Sequence, residues 1–357
     1  METRLAHWKQ KWKMLQTGWT VTGYSRAAYR TGFYIPELGI MLDAGPQNFN
    51  NPKHIFITHT HGDHIANLPF TMIVDEEAEN FTLIQLYGPQ KAEKHIKEYI
   101  TTLFTTNAMT YSLWTKMENL YKYNGFYDAG VVRINIKNTD YDLQIFLCDH
   151  AIPTISYGFS SISNKLKPEY HGRKGIEIKA LRESGVEITK EVPTKRFAYI
   201  CDTSIKVLET NPDILEYSLV FIECTFIYKD ELENANKTKH IHWEYLRPYV
   251  TANPQTHFVL IHFSLRYTEE EILKFFAKQM ALHGIKNIKV WAGDTTQELE
   301  PDLDGAIEEY ASNFVDQLLE NVIETLKKEE ELKEELLPEL PQELKQELVP
   351  EPALKVN

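Results

Sequence analysis

Long apolar runs are missing from this chain, and cysteine is scarce. No stretch reaches the roughly 18 apolar residues of a membrane-spanning helix, and the N-terminus lacks the apolar core of a secretory signal, so no membrane anchoring is expected. Residues 1–15 are basic and carry Trp8, Trp12 and Met14; they are expected to form a first helix over residues 1–17, with a mitochondrial presequence as the alternative. Cys148, Cys201 and Cys224 are odd in number and each lies in or beside an apolar run. They read as reduced core thiols of a cytoplasmic protein and not as a disulfide framework. Net positive charge is lacking as well. The formal charge is −13, but from Asp294 onward there are 19 Asp/Glu against 5 Lys, which leaves residues 1–293 near neutral at +1. The acid is a tail. No internal repeat is evident, and 357 residues at 43% hydrophobic content suffice for one large domain or two modest ones.

What is present is concentrated in Ile55-Phe56-Ile57-Thr58-His59-Thr60-His61-Gly62-Asp63-His64, a short apolar run that stops in three histidines and an aspartate. Such a run reads as a buried strand, and the polar cluster behind it as a loop at the strand's carboxyl end, where open α/β sheets place their sites. Neutral imidazole and carboxylate are ligands of zinc-like ions. The His59-x-His61 pair can present two imidazoles to one ion, leaving Asp63 and His64 to face a second. A solvated, His-rich turn is the plain alternative. This HxHxDH pattern resembles the metallo-β-lactamase superfamily, which implies an αββα sandwich of two mixed sheets with outer helices and a dinuclear metal site.

Taken in order, residues 18–45 read as short strands joined by glycine-bearing turns, ending in Asp43-Ala44-Gly45. By the resemblance Asp43 braces the metal loop; locally it is as well a turn aspartate. Residues 65–70 should open a helix, 83–87 a strand, and 91–103 and 108–123 two helices; 131–136 and 143–148 are further strands. The second of these ends in Asp149-His150, and His150 is a candidate third ligand for the ion of His59 and His61. Asp149 either orients an imidazole or caps the strand. Residues 160–196 differ in composition, with nine Lys/Arg against five Asp/Glu between Lys165 and Arg196. A solvated insertion is the default there, and a phosphate-gripping arm the functional alternative. Further apolar runs end in Asp202-Thr203 and in Glu223-Cys224-Thr225-Phe226; a helix-like stretch with His240-Ile241-His242 follows, then His262-Phe263-Ser264-Leu265-Arg266-Tyr267. Residues 269–283 read as a helix, 288–291 as the last strand, and 306–336 as helical in pattern. From residue 327 charge takes over, and residues 327–357 are expected to be a solvated acidic tail behind an acidic helical extension over 294–326.

The Glu-x-Thr-Phe strand, the His-Ile-His segment and above all His-Phe-Ser-x-Arg-Tyr resemble tRNase Z (ribonuclease Z), in its short plant-type form, over about residues 18–280. The glycine- and proline-rich globular arm of many bacterial members is absent, and the acidic tail lies outside the resemblance. The resemblance implies a catalytic domain over 18–293 that removes the 3′ trailer of precursor tRNA and leaves a 3′-hydroxyl, with two Zn²⁺ per chain and a homodimer. It implies that His59, His61 and His150 hold one zinc, that Asp63, His64 and His262 hold the other, and that Asp202 bridges them. Asp63 would also take the proton of the attacking water. His240, oriented by Glu223, would be the general acid, with His242 as the local competitor. Lys165, Lys167, Arg173 and Lys174 on the arm and Arg266 in the last loop would meet phosphate; for Arg266 the alternative is a surface ion pair. Two other functions stand against this one: a hydrolase of the same fold acting on a small phosphodiester or thioester, like glyoxalase II, and a non-catalytic RNA-binding relative.

Overall fold

β-Branched and aromatic residues recur along the chain in runs of three to twelve, and in the computed structural model these runs pair in chain order into two sheets. The structure describes residues 7–48, 50–72, 83–107, 120–293 and 299–336. The first sheet holds β1 (Lys11–Lys13), β2 (Thr20–Arg26), β3 (Arg30–Ile35), β4 (Ile40–Leu42), β5 (His54–Phe56), β6 (Ile84–Pro89) and β7 (Tyr121–Phe126). The second holds β8 (Gly130–Ile136), β9 (Thr139–Leu147), β10 (Ile155–Leu166), β11 (Thr189–Ile200), β12 (Leu219–Glu223), β13 (His257–Ile261) and β14 (Ile288–Val290). Each sheet begins with antiparallel pairs and finishes with parallel ones, β4 to β7 in the first and β11 to β14 in the second. Parallel strands align their carboxyl ends, and the site is built there.

Between the sheets lies an aromatic core in which Phe33 of the first sheet meets Tyr199 and Phe221 of the second. Phe56 likewise lies edge-on to Tyr157 and Phe159. Each such side chain, fully withdrawn from water, contributes on the order of 1.5–3 kcal/mol. A second apolar cluster covers the outer face of the second sheet with helices Trp243–Ala252 and Glu269–His283, through Trp243, Leu246 and Phe276. A third covers the first sheet with helix Glu93–Asn107 through Ile96, Ile100 and Phe104. Helices, two sheets and helices make the expected αββα sandwich. Helix Glu269–His283 shows why its ends fall where they do: Thr268 and Glu271 cap each other's backbone N–H groups, and Gly284 closes the last turn at φ 63°.

Three local expectations are corrected. Residues 11–13, placed in a first helix over 1–17, form strand β1 along β2, with Lys11 opposite Thr22 and Lys13 opposite Thr20. Lys-Trp-Lys alternates with a period of two, so Trp12 turns inward and stacks on His257 at 5.6 Å. In the helix expected over residues 108–123, residues 108–119 lie outside the described residues and 121–123 belong to β7; the alternation of Tyr121 and Tyr123 about a lysine is a strand pattern. The helical pattern expected over 306–336 is present as helix Leu303–Leu336, and it crosses the domain boundary drawn at 327, because Glu and Lys are themselves good helix formers and pair one turn apart, as Lys328 does with Glu324 at 2.7 Å. This helix belongs to a unit of its own, Asp302–Asn357, distinct from Met1–Pro301. Residues 337–357 lie outside the described residues.

The stretch 160–196 is an arm. Strands β10 and β11 pair from Tyr157 with Tyr199 out to Leu166 with Thr189. Their inner halves are buried, their outer halves are exposed, and helix Gly175–Glu183 between them buries no residue.

Candidate active site

The histidine loop leaves β5 after Phe56 and is held from beneath by Asp43, at the end of the neighbouring strand β4. Asp43 is fully buried and accepts from the Thr58 backbone N–H at 2.8 Å, the Thr58 hydroxyl, His64 Nδ1 at 2.9 Å and the Tyr199 hydroxyl at 2.9 Å. The glycine of Asp-x-Gly is required by close packing: a Cβ on Gly45 would lie 1.9 Å from the Asp63 carbonyl oxygen. Helix Gly62–Ile65 then begins inside the motif and carries Asp63 and His64.

The ligand atoms converge on Asp202, just beyond the end of β11, and its two oxygens face two different groups. Oδ2 lies 3.4 Å from His59 Nε2 and 3.6 Å from His150 Nε2, and His61 Nδ1 lies 3.0 and 3.2 Å from those same two nitrogens. Oδ1 lies 3.4 Å from His64 Nε2 and 3.1 Å from His262 Nε2, and Asp63 Oδ2 lies 3.5 and 3.4 Å from those nitrogens. Ligands about 2.05 Å from a tetrahedral zinc are spaced about 3.3 Å apart, so both groups are spaced as ligands are.

Hydrogen bonding behind the rings shows which nitrogens are free to coordinate. Thr58 gives its hydroxyl proton to Asp43 and so accepts from His59 Nδ1 at 3.0 Å; His64 Nδ1 donates to Asp43, and His150 Nδ1 to the Lys239 carbonyl at 3.4 Å. Each of these rings is left with a lone pair on Nε2, directed at carboxylate oxygens and other ring nitrogens. Buried lone pairs aimed at one another call for cations between them. The described residues therefore form groups that could hold metal.

Burial, with the charge of His64, lowers the pKa of His59 to about 4, and burial lowers those of His61 and His150. Burial works against ionising Asp202, yet His262, His64 and His59 hold it well below the usual carboxylate range. His262 and His64 do the same for Asp63. For His59, His61 and His150 the neutral ring, and for Asp63 and Asp202 the ionised carboxylate, are the protonation states that bind metal. Burial opposes a charge on His64, but Asp202, Cys201 and Asp43 raise its pKa well above the ordinary value, so this ring gives up a proton when it takes an ion.

His240 stands beside this cluster, its ring stacked 5.5 Å from that of His262. Its Nδ1 lies 3.0 Å from Glu223 Oε1, at the end of β12. Burial opposes a charge on this ring, but Glu223 and Asp202 raise its pKa to about 9. His242 is engaged elsewhere: it is fully buried, its Nδ1 caps helix Trp243–Ala252 at the Glu244 N–H, and its Nε2 donates to the Tyr228 carbonyl at 2.8 Å. A cavity of about 730 Å³ opens over His61, Asp63, Asp202, His240, His262 and Arg266.

No family model matches the chain. It is 31% identical over 270 residues to tRNase Z TRZ1 of Arabidopsis thaliana, covering 74% of this chain and 92% of that relative. The chain belongs to the tRNase Z family. The chloroplastic tRNase Z TRZ2 of the same plant is 26% identical over 280 residues, covering 77% of this chain and 76% of that one. The crystal structure of human tRNase Z, short form, superposes with a TM-score of 0.45 at 16% identity, covering 69% of this chain and 93% of that one.

In this tRNase Z family member two site residues escaped the sequence reading. Ser25 Oγ accepts the His262 backbone N–H at 3.0 Å, and the buried Arg26 donates to the carbonyls of Phe263 at 3.1 Å, Ser264 at 2.7 Å and Tyr267, fastening the His262 loop to the first sheet. Ser25 and Arg26 bind main-chain groups, so no side-chain motif announces them. Arg266 lines the cavity and pairs with Glu231 at 3.3 Å. Asp149 orients no imidazole. It binds Lys239 at 2.8 Å, Ser204 Oγ at 2.9 Å and Lys206 at 3.3 Å, tying the His150, Asp202 and His240 loops together. On the arm, away from the metal ligands, Lys165 faces Lys190 across the strands, Lys167 lies 3.6 Å from Glu187, Arg173 lies over the Tyr170 ring, and Lys174 is the N-cap of helix Gly175–Glu183.

Proposed function

We propose that this chain is a metal-dependent endonuclease that cuts precursor tRNA at the 3′ trailer and leaves a 3′-hydroxyl on the tRNA. The observation that carries the reading is Asp202, with one oxygen toward each of two ligand groups and the His240–Glu223 pair beside them. His59, His61 and His150 would hold one Zn²⁺, Asp63, His64 and His262 the other, and Asp202 both. Bound there, the ions would lower the pKa of a water to about 7 and offset the charge gathering on the phosphate.

The remaining work falls to side chains. Asp63 Oδ2, which also accepts the Ala28 N–H at 2.9 Å, faces the cavity and takes the proton of the attacking water. The phosphorus–oxygen bond to the ribose 3′ oxygen breaks, the phosphate stays with the trailer, and the departing oxygen is too basic to leave unaided. His240, kept protonated by Glu223, gives it a proton. Lys165, Lys167, Arg173 and Lys174 grip phosphates of the tRNA body. Arg173 and Lys174 stand at the positive end of a helix, where cations cost stability unless an anion shares the place. Arg266 meets phosphate at the cavity rim. A small phosphodiester or thioester has no use for such an arm, and a non-catalytic relative none for so complete a ligand set. We extend the family likeness to a homodimer, checked by sedimentation, and the three cysteines, free of disulfides and two of them buried, to a cytoplasmic location.

The test is cleavage of a precursor tRNA carrying a 3′ trailer, beside a generic phosphodiester and a thioester, with product ends mapped. A single cut that leaves a 3′-hydroxyl is expected. Turnover of the small substrates with intact tRNA would overturn the reading.

A further inference from the structure

Glu223 does more than hold His240. Its fully buried carboxylate accepts from the Thr203 backbone N–H at 2.6 Å, the Ile241 N–H at 3.1 Å, His240 Nδ1 at 3.0 Å and the Thr225 hydroxyl at 2.5 Å. An ionised carboxylate only accepts, so the single proton of Thr225 Oγ1 goes to Glu223, and the hydroxyl's lone pairs are left for another donor. That donor is His262 Nδ1 at 3.1 Å, closer than His240 Nδ1 at 3.4 Å. Nδ1 of His262 therefore carries the proton. Its Nε2 keeps a lone pair, facing Asp202 Oδ1 at 3.1 Å, His64 Nε2 at 3.3 Å and Asp63 Oδ2 at 3.4 Å.

The backbone sets where this ring starts but not how it is turned. His262 sits at φ 65°, in the left-handed region that residues other than glycine adopt infrequently. The loop is pinned by Ser25 and Arg26 through main-chain atoms, and among the described residues the one hydrogen bond at Nδ1 is to Thr225. We propose that Thr225 is a positioning residue: it fixes the tautomer and orientation of His262 as a ligand and joins that ligand, through Glu223, to the His240 acid. This rests on the two-ion reading above. Its consequence is that one carboxylate registers the acid and one ion against each other, directly on one side and through a hydroxyl on the other.

The experiment is chelator competition for Zn²⁺ on the full-length chain, as Thr225→Val, Thr225→Ser and native protein. Native protein should release two equivalents. In Thr225→Val one equivalent should bind 10–100-fold more weakly, the usual cost of losing a ligand's hydrogen-bond partner, while the other is unchanged; Thr225→Ser, which keeps the hydroxyl, should restore both. Imidazole NMR of native zinc-loaded protein gives a readout independent of how the variants fold: His262 should be protonated on Nδ1 and ligated through Nε2. Native affinity for both ions in Thr225→Val, a folded Thr225→Ser that fails to restore them, or His262 ligated through Nδ1 would each overturn the proposal. Native protein that loads fewer than two ions would overturn the two-ion reading, and this inference with it.

Discussion

Asp202 and His240 lie close together and fail differently when removed. Asp202 faces both ligand groups, so Asp202→Ala should lose metal and activity together, whereas His240 is the proposed acid and not one of the proposed ligands, so His240→Ala should keep two equivalents of zinc while turnover collapses by about 10²–10⁴-fold. An activated aryl phosphodiester, whose leaving group needs no proton, should be spared the second loss. Zinc lost from His240→Ala in elemental analysis would make it a ligand and overturn its assignment as the acid. A third residue reports on pH. His54, at the start of β5 and within 3.2 Å of the Tyr87 hydroxyl, is held by burial at a pKa of about 4, against an ordinary value of 6.5. The unfolded chain takes up this proton from about pH 6.5 downward and the folded chain only near pH 4, so the stability His54 contributes is present above pH 6.5 and is lost as pH falls toward 4. Thermal melts of His54→Phe should therefore decline less steeply over that window than those of the native protein.

Among the elements, the arm formed by β10, helix Gly175–Glu183 and β11 stands apart from the chemistry, and its substitutions should separate binding from turnover. Neutralising Lys165, Lys167, Arg173 and Lys174 should raise KM for precursor tRNA and lower the salt slope by about 0.7–0.9 for each phosphate no longer held, while hydrolysis of a small aryl phosphodiester stays near native. Steady-state kinetics at several salt concentrations checks this. Equal losses on both substrates would mean that the arm supports the fold of the site. The acidic helix Leu303–Leu336 carries none of the proposed ligands, so a chain ended at Pro301 should retain both metals and its activity on the aryl substrate.

Across the whole molecule, the sequence disclosed what strand ends carry and concealed what strand edges do. His59 to His64, His150, Asp202, Glu223 and His262 each follow an apolar run, and apart from the antiparallel β9 before His150 these runs are parallel strands whose carboxyl ends meet. They could be read from the order of residues alone. The edge strand β1 could not, because three residues become a strand only when β2 offers its open hydrogen bonds, and a basic, tryptophan-bearing segment suits a helix equally well. Arg26 was hidden for another reason: its carbonyl partners lie 237 to 266 positions along the chain, and only the closed sandwich brings them near. The choice between His240 and His242 was likewise tertiary, since two histidines two residues apart differ only in what lies around them.

The two sheets follow one another in the chain without interleaving, β1 to β7 and then β8 to β14. His59, His61, Asp63 and His64 belong to the first, and His150, Asp202 and His262 to the second. A nascent chain that has emerged only through its first sheet thus holds an incomplete set for either ion, and the second sheet alone is no better. On the proposed two-ion reading, metal uptake would wait until both leaves have been synthesised and have closed on each other. The ions would then act as a clasp across the seam, adding about 1.4 kcal/mol to the closed form for every tenfold excess of free metal over its dissociation constant.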